Sequence, residues 1–319
     1  MKGSRSLAEK KILVAVSFDE HLGALVKSAE NLSRITGASV RLVHVCDPWA
    51  KSFLSTVADI GGASDLMAAL KDEATRIATK RLDSLRQTFQ KAITVETNVV
   101  IGDVAKSIAA DAEEHGCGII LAGASKGGVA GTIQGFSTAI SLVMESSVPV
   151  MVLNDAAVFQ PKQDRATFLA CDDFTEVSAA ALKVGFSLAS KIKNSKIVHM
   201  HVESYGDLPS HGKLKDPKTN MTISREQLEH MNRQAEEKML ERASDWPSVL
   251  ESGGSQYELE IVSGSVPDEI ERSAIAHQAD IVIFGQHKVF HRKSMHVGQV
   301  PYKVMLAQSR PVIVVPIQV

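Results

Sequence analysis

The feature that most constrains this chain is an internal repeat. Residues 102–126, GDVAKSIAADAEEHGCGIILAGASK, lie over residues 264–288, GSVPDEIERSAIAHQADIVIFGQHK. At a constant offset of 162, eight of the 25 pairs are identical: Gly102/Gly264, Val104/Val266, Ile108/Ile270, Ala112/Ala274, His115/His277, Ile119/Ile281, Gly123/Gly285 and Lys126/Lys288. Unrelated segments of that length would share roughly one or two, given ordinary residue usage. The same offset carries PVMVL at Pro149 onto PVIVV at Pro311. Nearer the N-terminus, KILVAVS (11–17) lies over ATFLACD (166–172) at an offset of 155, which sets Ser17 over Asp172. VRLVHV and KIVHMHV follow and pair His44 with His201. The offsets differ by seven, so the second half carries about seven extra residues. They are expected in ESYGDLPSHGKLKDPKTNMTIS, a loop-like stretch rich in Pro, Gly and Lys.

Each half reads as alternating strands and helices. ILVAV, VRLVHV, GIILAG and VPVMVL are short, nearly continuous apolar runs, as expected of strands buried on both faces of a parallel sheet. Between them lie segments of helical spacing, such as Ile270, Ala274 and His277 in DEIERSAIAHQA. Two long amphipathic helices are expected in LMAALKDEATRIATKRLDSLRQTF and SREQLEHMNRQAEEKMLERASDW. Strands alternating with helices predict right-handed crossovers and an α/β, doubly wound, Rossmann-like domain with a five-stranded parallel sheet, present twice. The expected boundaries are 1–154 and 165–319, joined by a polar linker at 155–164.

Composition narrows the function classes. With 35 basic against 37 acidic side chains among 319 residues, nothing global favours nucleic acid or an anionic membrane. No apolar run approaches the roughly 20 residues that span a bilayer. The N-terminal run at Ile12 is too short for a secretory signal. Cys46, Cys117 and Cys171 are widely separated, as suits a reducing cytoplasm and inert buried thiols rather than disulfides or structural zinc.

Several segments together resemble a tandem universal stress protein. They are KKILVAVSFDEH, VVIGDVAKSI and its counterpart IVSGSVPDEI, the fourth strand ending in glycine, and the terminal SSVPVMVL and QSRPVIVV. The resemblance covers essentially the whole chain. It implies an adenine nucleotide alpha hydrolase-like fold and a role in stress adaptation, without catalysis. It also implies ATP, ADP or AMP as the ligand of some members, while others bind none. Binding members carry Gly, two residues, Gly, nine residues, Gly and then Ser or Thr after the fourth strand, with an aspartate ending the first. Glycines let backbone N–H groups approach phosphate, and the next helix N-terminus adds partial positive charge.

Mapped onto this chain, the second half keeps Asp172, Gly285 and Gly298, with Lys288 at the second glycine and Gln299 at the hydroxyl. The first half keeps Gly123 and Ser137, with Ser17 for the aspartate, Lys126 at the second glycine and Phe136 at the third. A shifted loop through Gly127, Gly128, Gly131 and Gly135 remains an alternative there. The second half is therefore the expected nucleotide site, a weak one, with Lys288 either binding phosphate or replacing it. His44 and His201 are candidates to line the adenine pocket, and Asp172 to accept from ribose. His287, His291 and His296, with His201 and His211, fit no strong zinc spacing; a basic anion- or partner-binding loop is favoured over a metal site, and a plain solvated loop over both. An ATP hydrolase or nucleotidyl transferase is the alternative, but the chain has no P-loop, pyrophosphate loop or nucleophile elbow. The partner is expected to be an unspecified protein. In dimeric relatives the last strands meet, so residues 150–153 are expected to approach 312–315 as an intramolecular pseudo-dimer, with a homodimer of chains open.

Overall fold

The computed structural model describes residues 10–19, 21–46, 63–124, 134–154, 157–162, 165–203, 224–246, 254–286, 289–291, 294–296, 303–305 and 310–316. The chain divides into two compact units, Met1–Val158 and Phe159–Val319. The first runs β1 (Lys11–Ala15), α1 (Leu22–Thr36), β2 (Val40–Cys46), α2 (Ala63–Arg86), β3 (Val95–Ile101), α3 (Val104–Glu114), β4 (Cys117–Ala124), α4 (Gln134–Glu145) and β5 (Val150–Asn154). The second runs β6 (Thr167–Cys171), α5 (Glu176–Ala189), β7 (Lys196–Glu203), α6 (Arg225–Ala243), β8 (Gln256–Ser263), α7 (Val266–Ala276), β9 (Ile281–Gln286), β10 (Val289–His291), β11 (Ser294–His296) and β12 (Val312–Pro316).

Strand order is β3-β2-β1-β4-β5 in the first unit and β8-β7-β6-β9-β12 in the second, with parallel pairing inside each. The expected doubly wound fold is present twice. Its cause is visible in burial: Leu13, Val14, Leu42, Ile120 and Leu121 are fully buried in one unit, and Phe168, Leu169, Val198 and Ile283 in the other. Helix starts are specified locally. Asp103 caps α3 by accepting from Lys106 N, and Thr175 and Ser224 close capping boxes on α5 and α6. Trp246 stacks on Phe186 with centroids 5.2 Å apart, sealing α5 against the turn that follows α6.

Register corrects two readings of the repeat. Ile12 pairs with Val40 as Phe168 pairs with Ile197, so Phe168 corresponds to Ile12 at an offset of 156. Asp172 therefore stands in the place of Val16, and Asp173 in that of Ser17. Phe18 and Phe174 confirm the frame, since both have left-handed φ, 55° and 64°. Matching polar Ser17 to polar Asp172 sets the pairing one position off the backbone register. The extra residues are also displaced. The long helices still match at an offset of 157, as buried Ala78 with Ala235 and Leu82 with Met239 show. From β3 and β8 onward the offset is 162, because Arg41 pairs with Glu96 as Val198 pairs with Glu258. Five residues are thus added between α6 and β8, not in the loop before α6.

The expected linker is less polar in practice than its sequence. Ala157 and Phe159 are buried, and Lys162 bridges Arg165 in antiparallel fashion. Burying one aromatic ring outweighs the polarity of its neighbours. In the first unit, Asp111 of α3 accepts from Arg41 of β2 through Nε at 2.6 Å and Nη2 at 2.9 Å, and from Asn98 at 2.6 Å. Burial pushes the Asp111 carboxyl up, but the hydrogen bonds from Arg41 and Asn98 hold it below its ordinary value.

Candidate functional site

In an open parallel sheet, ligands bind beyond the carboxyl ends of the strands, where the direction of winding reverses. Here that place lies between β1 and β4 in the first unit and between β6 and β9 in the second. Pairing of Phe168 with Ile281 and Ala170 with Ile283 brings the turn 172–175 alongside Gly285. Asp172, His201 and Gly285 are thereby gathered at one sheet end. Lys126, Lys288, Gly298 and Gln299 lie outside the described residues, as do His211 and His287. Ser137 falls in the first turn of α4.

Asp172 is not the open acceptor expected of a ribose contact. Its carboxylate is wholly buried and accepts four hydrogen-bond donors. Oδ1 receives Phe174 N at 2.8 Å and Ser178 Oγ at 2.6 Å. Oδ2 receives His199 Nε2 at 2.9 Å and Arg242 Nε at 2.7 Å. Burial pushes this carboxyl up, and the bonds from His199, Ser178 and Phe174 more than offset it, holding it below the usual range. Tyr257 Oη lies 2.8 Å from His199 Nδ1. Burial and then the charge of Asp172 push the Tyr257 phenol up, so it stays protonated and donates. With the Tyr257 hydroxyl donating to Nδ1, His199 Nε2–H donates to Asp172. Arg242 also donates to Thr175 O and, at 3.1 Å, to Ser178 Oγ.

Sequence reading missed His199, Ser178, Tyr257 and Arg242. The signal was in the repeat. Their counterparts in the first unit are Leu42, Leu22, Val95 and Leu85, and Asp172 replaces Val16. Five apolar positions became one polar network.

Beside it, both units carry the same aromatic stack. His201 Nδ1 donates to Asp172 O at 2.6 Å and its ring lies 4.2 Å from that of Phe174. His44 Nδ1 donates to Val16 O at 2.7 Å and its ring lies 4.8 Å from Phe18. A cation covers each phenyl ring: Lys238 Nζ at 5.2 Å over Phe174, and Arg81 Cζ at 3.9 Å over Phe18. The two histidines are thus positioned by the first strand of their unit.

The glycines have a packing role. A Cβ on Gly285 would meet Val177 C at 2.6 Å and Ser178 N at 2.8 Å, so the start of α5 packs directly on β9. At Gly123 the neighbour is only the His21 side chain, at 3.0 Å. Beyond Gly285 the chain does not stay an open loop. β10 and β11 form an antiparallel hairpin pairing Val289 with His296 and His291 with Ser294. No group of three or more His, Cys, Asp or Glu among the described residues is placed to hold a metal.

Comparison with known proteins agrees with this geometry. A functionally unknown protein from Pseudomonas aeruginosa PAO1 superposes with a TM-score of 0.62 at 15% identity, over 98% of this chain and 94% of its own. A universal stress protein from Archaeoglobus fulgidus DSM 4304 gives 0.60 at 18% identity, over 97% of each chain. At these identities the likeness establishes the fold. No curated protein matches. The universal stress protein family matches in sequence at residues 9–154 and again at 165–316, the two halves of the repeat, and the chain therefore belongs to the universal stress protein family as a tandem member.

Proposed function

We propose that this chain is a non-enzymatic stress-response protein, a sensor or adaptor for a protein partner, whose second unit takes ATP, ADP or AMP weakly between β6 and β9. The observation that carries the reading is the β6–β9 pairing, which sets the turn 172–175 beside Gly285, ahead of Gly298 in the chain. With Asp172 committed to its network, the exposed Asp173 is the carboxylate facing the ribose side. It accepts from Thr175 N at 3.1 Å within its own turn. Two carboxylates at the start of α5 disfavour a phosphate there, which supports weak binding, and Lys288 supplies the compensating charge. The polar groups at the start of α5 are held by one another, Ser178 Oγ donating to Asp172 and accepting from Arg242, which supports a structural part for them. No helix among the described residues is long and apolar enough to cross a membrane. We place the protein in the cytoplasm because its three cysteines are free thiols.

Calorimetry with ATP, ADP and AMP on wild type, Asp173→Ala and Gly298→Val tests the reading. Weak binding in wild type and a clear loss in both variants are expected, with no phosphate release from ATP. Binding that survives both changes but is lost on altering Gly123 and Ser137 would move the site to the first unit. No binding at millimolar nucleotide would remove the nucleotide from the proposal, and phosphate release lost in the variants would make the chain an enzyme.

A further inference from the structure

The two units differ where α1 meets α2 and α5 meets α6. In the first unit this place is a groove of about 420 Å³. It is shallow and open, lined by the apolar Phe18, Leu22 and Leu85 and by Lys80 and Arg81. Small-molecule sites combine such apolar walls with a few placed polar groups, at volumes of a few hundred Å³. In the second unit the same place is closed by chemistry. Ser178 replaces Leu22 and Arg242 replaces Leu85, and Arg242 bonds to Ser178 Oγ and Thr175 O, tying the two helix walls together.

Among the described residues, the charged side chains that line the groove are both cationic. Lys80 and Arg81 are exposed, and the other lining groups besides the apolar side chains are the hydroxyls of Ser84 and Thr88. Of the described acidic residues nearest in sequence, Asp19 accepts from Ser17 Oγ and His21 N, and Asp83 pairs with Arg86. Arg81 Cζ lies over the Phe18 ring, 3.9 Å from its centroid, and its five N–H donors suit an anion. Phe18 reaches the groove from a left-handed backbone that a bulky residue rarely adopts. We propose that this groove binds a small amphipathic monoanion, with an aromatic or short acyl body on Phe18, Leu22 and Leu85 and its anionic head between Lys80 and Arg81. The groove lies in the other unit from the proposed nucleotide crevice, so either assignment stands or fails alone.

The test is a fluorescence titration of the full chain with 8-anilinonaphthalene-1-sulfonate and with its uncharged relative N-phenyl-1-naphthylamine. One saturable site per chain is expected, about tenfold tighter for the sulfonate. Lys80→Gln with Arg81→Gln, both exposed, should weaken the sulfonate about fivefold, and added salt should do the same. Leu85→Arg, which installs the residue of the second unit, should weaken it about tenfold. Lys238→Gln, the counterpart of Arg81 in the second unit, should leave it unchanged. Unfolding midpoints of the exposed variants should match wild type, so a loss of binding is not a loss of fold. Equal affinity for the two probes, full binding in the Lys80/Arg81 variant, or an equal loss in Lys238→Gln would overturn the assignment.

Discussion

Replacing Arg242 with Met removes a guanidinium that donates to Asp172, Thr175 and Ser178 while leaving the Asp172 carboxylate wholly buried. Breaking a buried ion pair from one side costs about 3–5 kcal/mol, because the remaining charge has lost its compensation. Arg242 is 21% exposed, and Asp172 keeps His199, Ser178 and Phe174 N, so the lower end, about 3 kcal/mol, is expected. The complete exchange behaves differently. Asp172→Val, Ser178→Leu, His199→Leu, Arg242→Leu and Tyr257→Val together install the residues the first unit already folds with. That variant should lie within about 2 kcal/mol of wild type, since replacing a buried polar set by apolar groups removes its desolvation cost as well. Trp246, stacked on Phe186, reports the second unit, so urea unfolding in a Trp49→Phe background isolates it. The pH dependence has a fixed sign. Asp172 is held below its ordinary range, so its contribution is complete above the unfolded value of about 3.9 and is lost as pH falls through the lower folded value. The gap between wild type and Arg242→Met should narrow in that acid window. A single variant within about 1 kcal/mol of wild type, or a fivefold variant as damaged as the single one, would refute the reasoning.

Other expectations are simpler to check. Gly285→Ala should destabilise the second unit by about 3 kcal/mol or more, because its Cβ meets helix backbone, whereas Gly123→Ala meets a side chain and should cost about 1 kcal/mol; chemical unfolding separates them. Asp111→Ala should cost the first unit about 3 kcal/mol or more by leaving Arg41 buried with only the partial compensation of Glu96, and the loss should shrink in acid because Asp111 is also held low. Cys117, pushed up to about 11 by burial, and Cys171, pushed higher still, should resist iodoacetamide at pH 8 until the chain is denatured, as mass spectrometry of the labelled protein will show.

The fold was legible because burial on both faces writes itself as apolar runs, and because the chain writes them twice. The site was legible only in outline. Asp172 was found as a strand-end carboxylate, but its register was set by matching polarity, while the backbone followed Phe18 and Phe174. Its partners come from α5, β7, α6 and β8, four elements far apart in sequence, and no local motif announces such a network. Gly285 reads as a ligand glycine by position; only the start of α5, which crosses it, shows a packing role. The hairpin of β10 and β11 was hidden because the segment resembles a phosphate loop by spacing and carries no strong turn dipeptide.

The left-handed phenylalanines also order events in the history of the chain. A backbone conformation unfavourable for so large a side chain occurs at both Phe18 and Phe174, each ring lying on a histidine bound to the end of the first strand. A feature so improbable, shared by both halves, is most simply inherited from a single-domain ancestor that existed before the gene doubled. The five-membered polar network is present in one half only, so the two copies parted in their interiors after doubling while the left-handed turn stayed common to both.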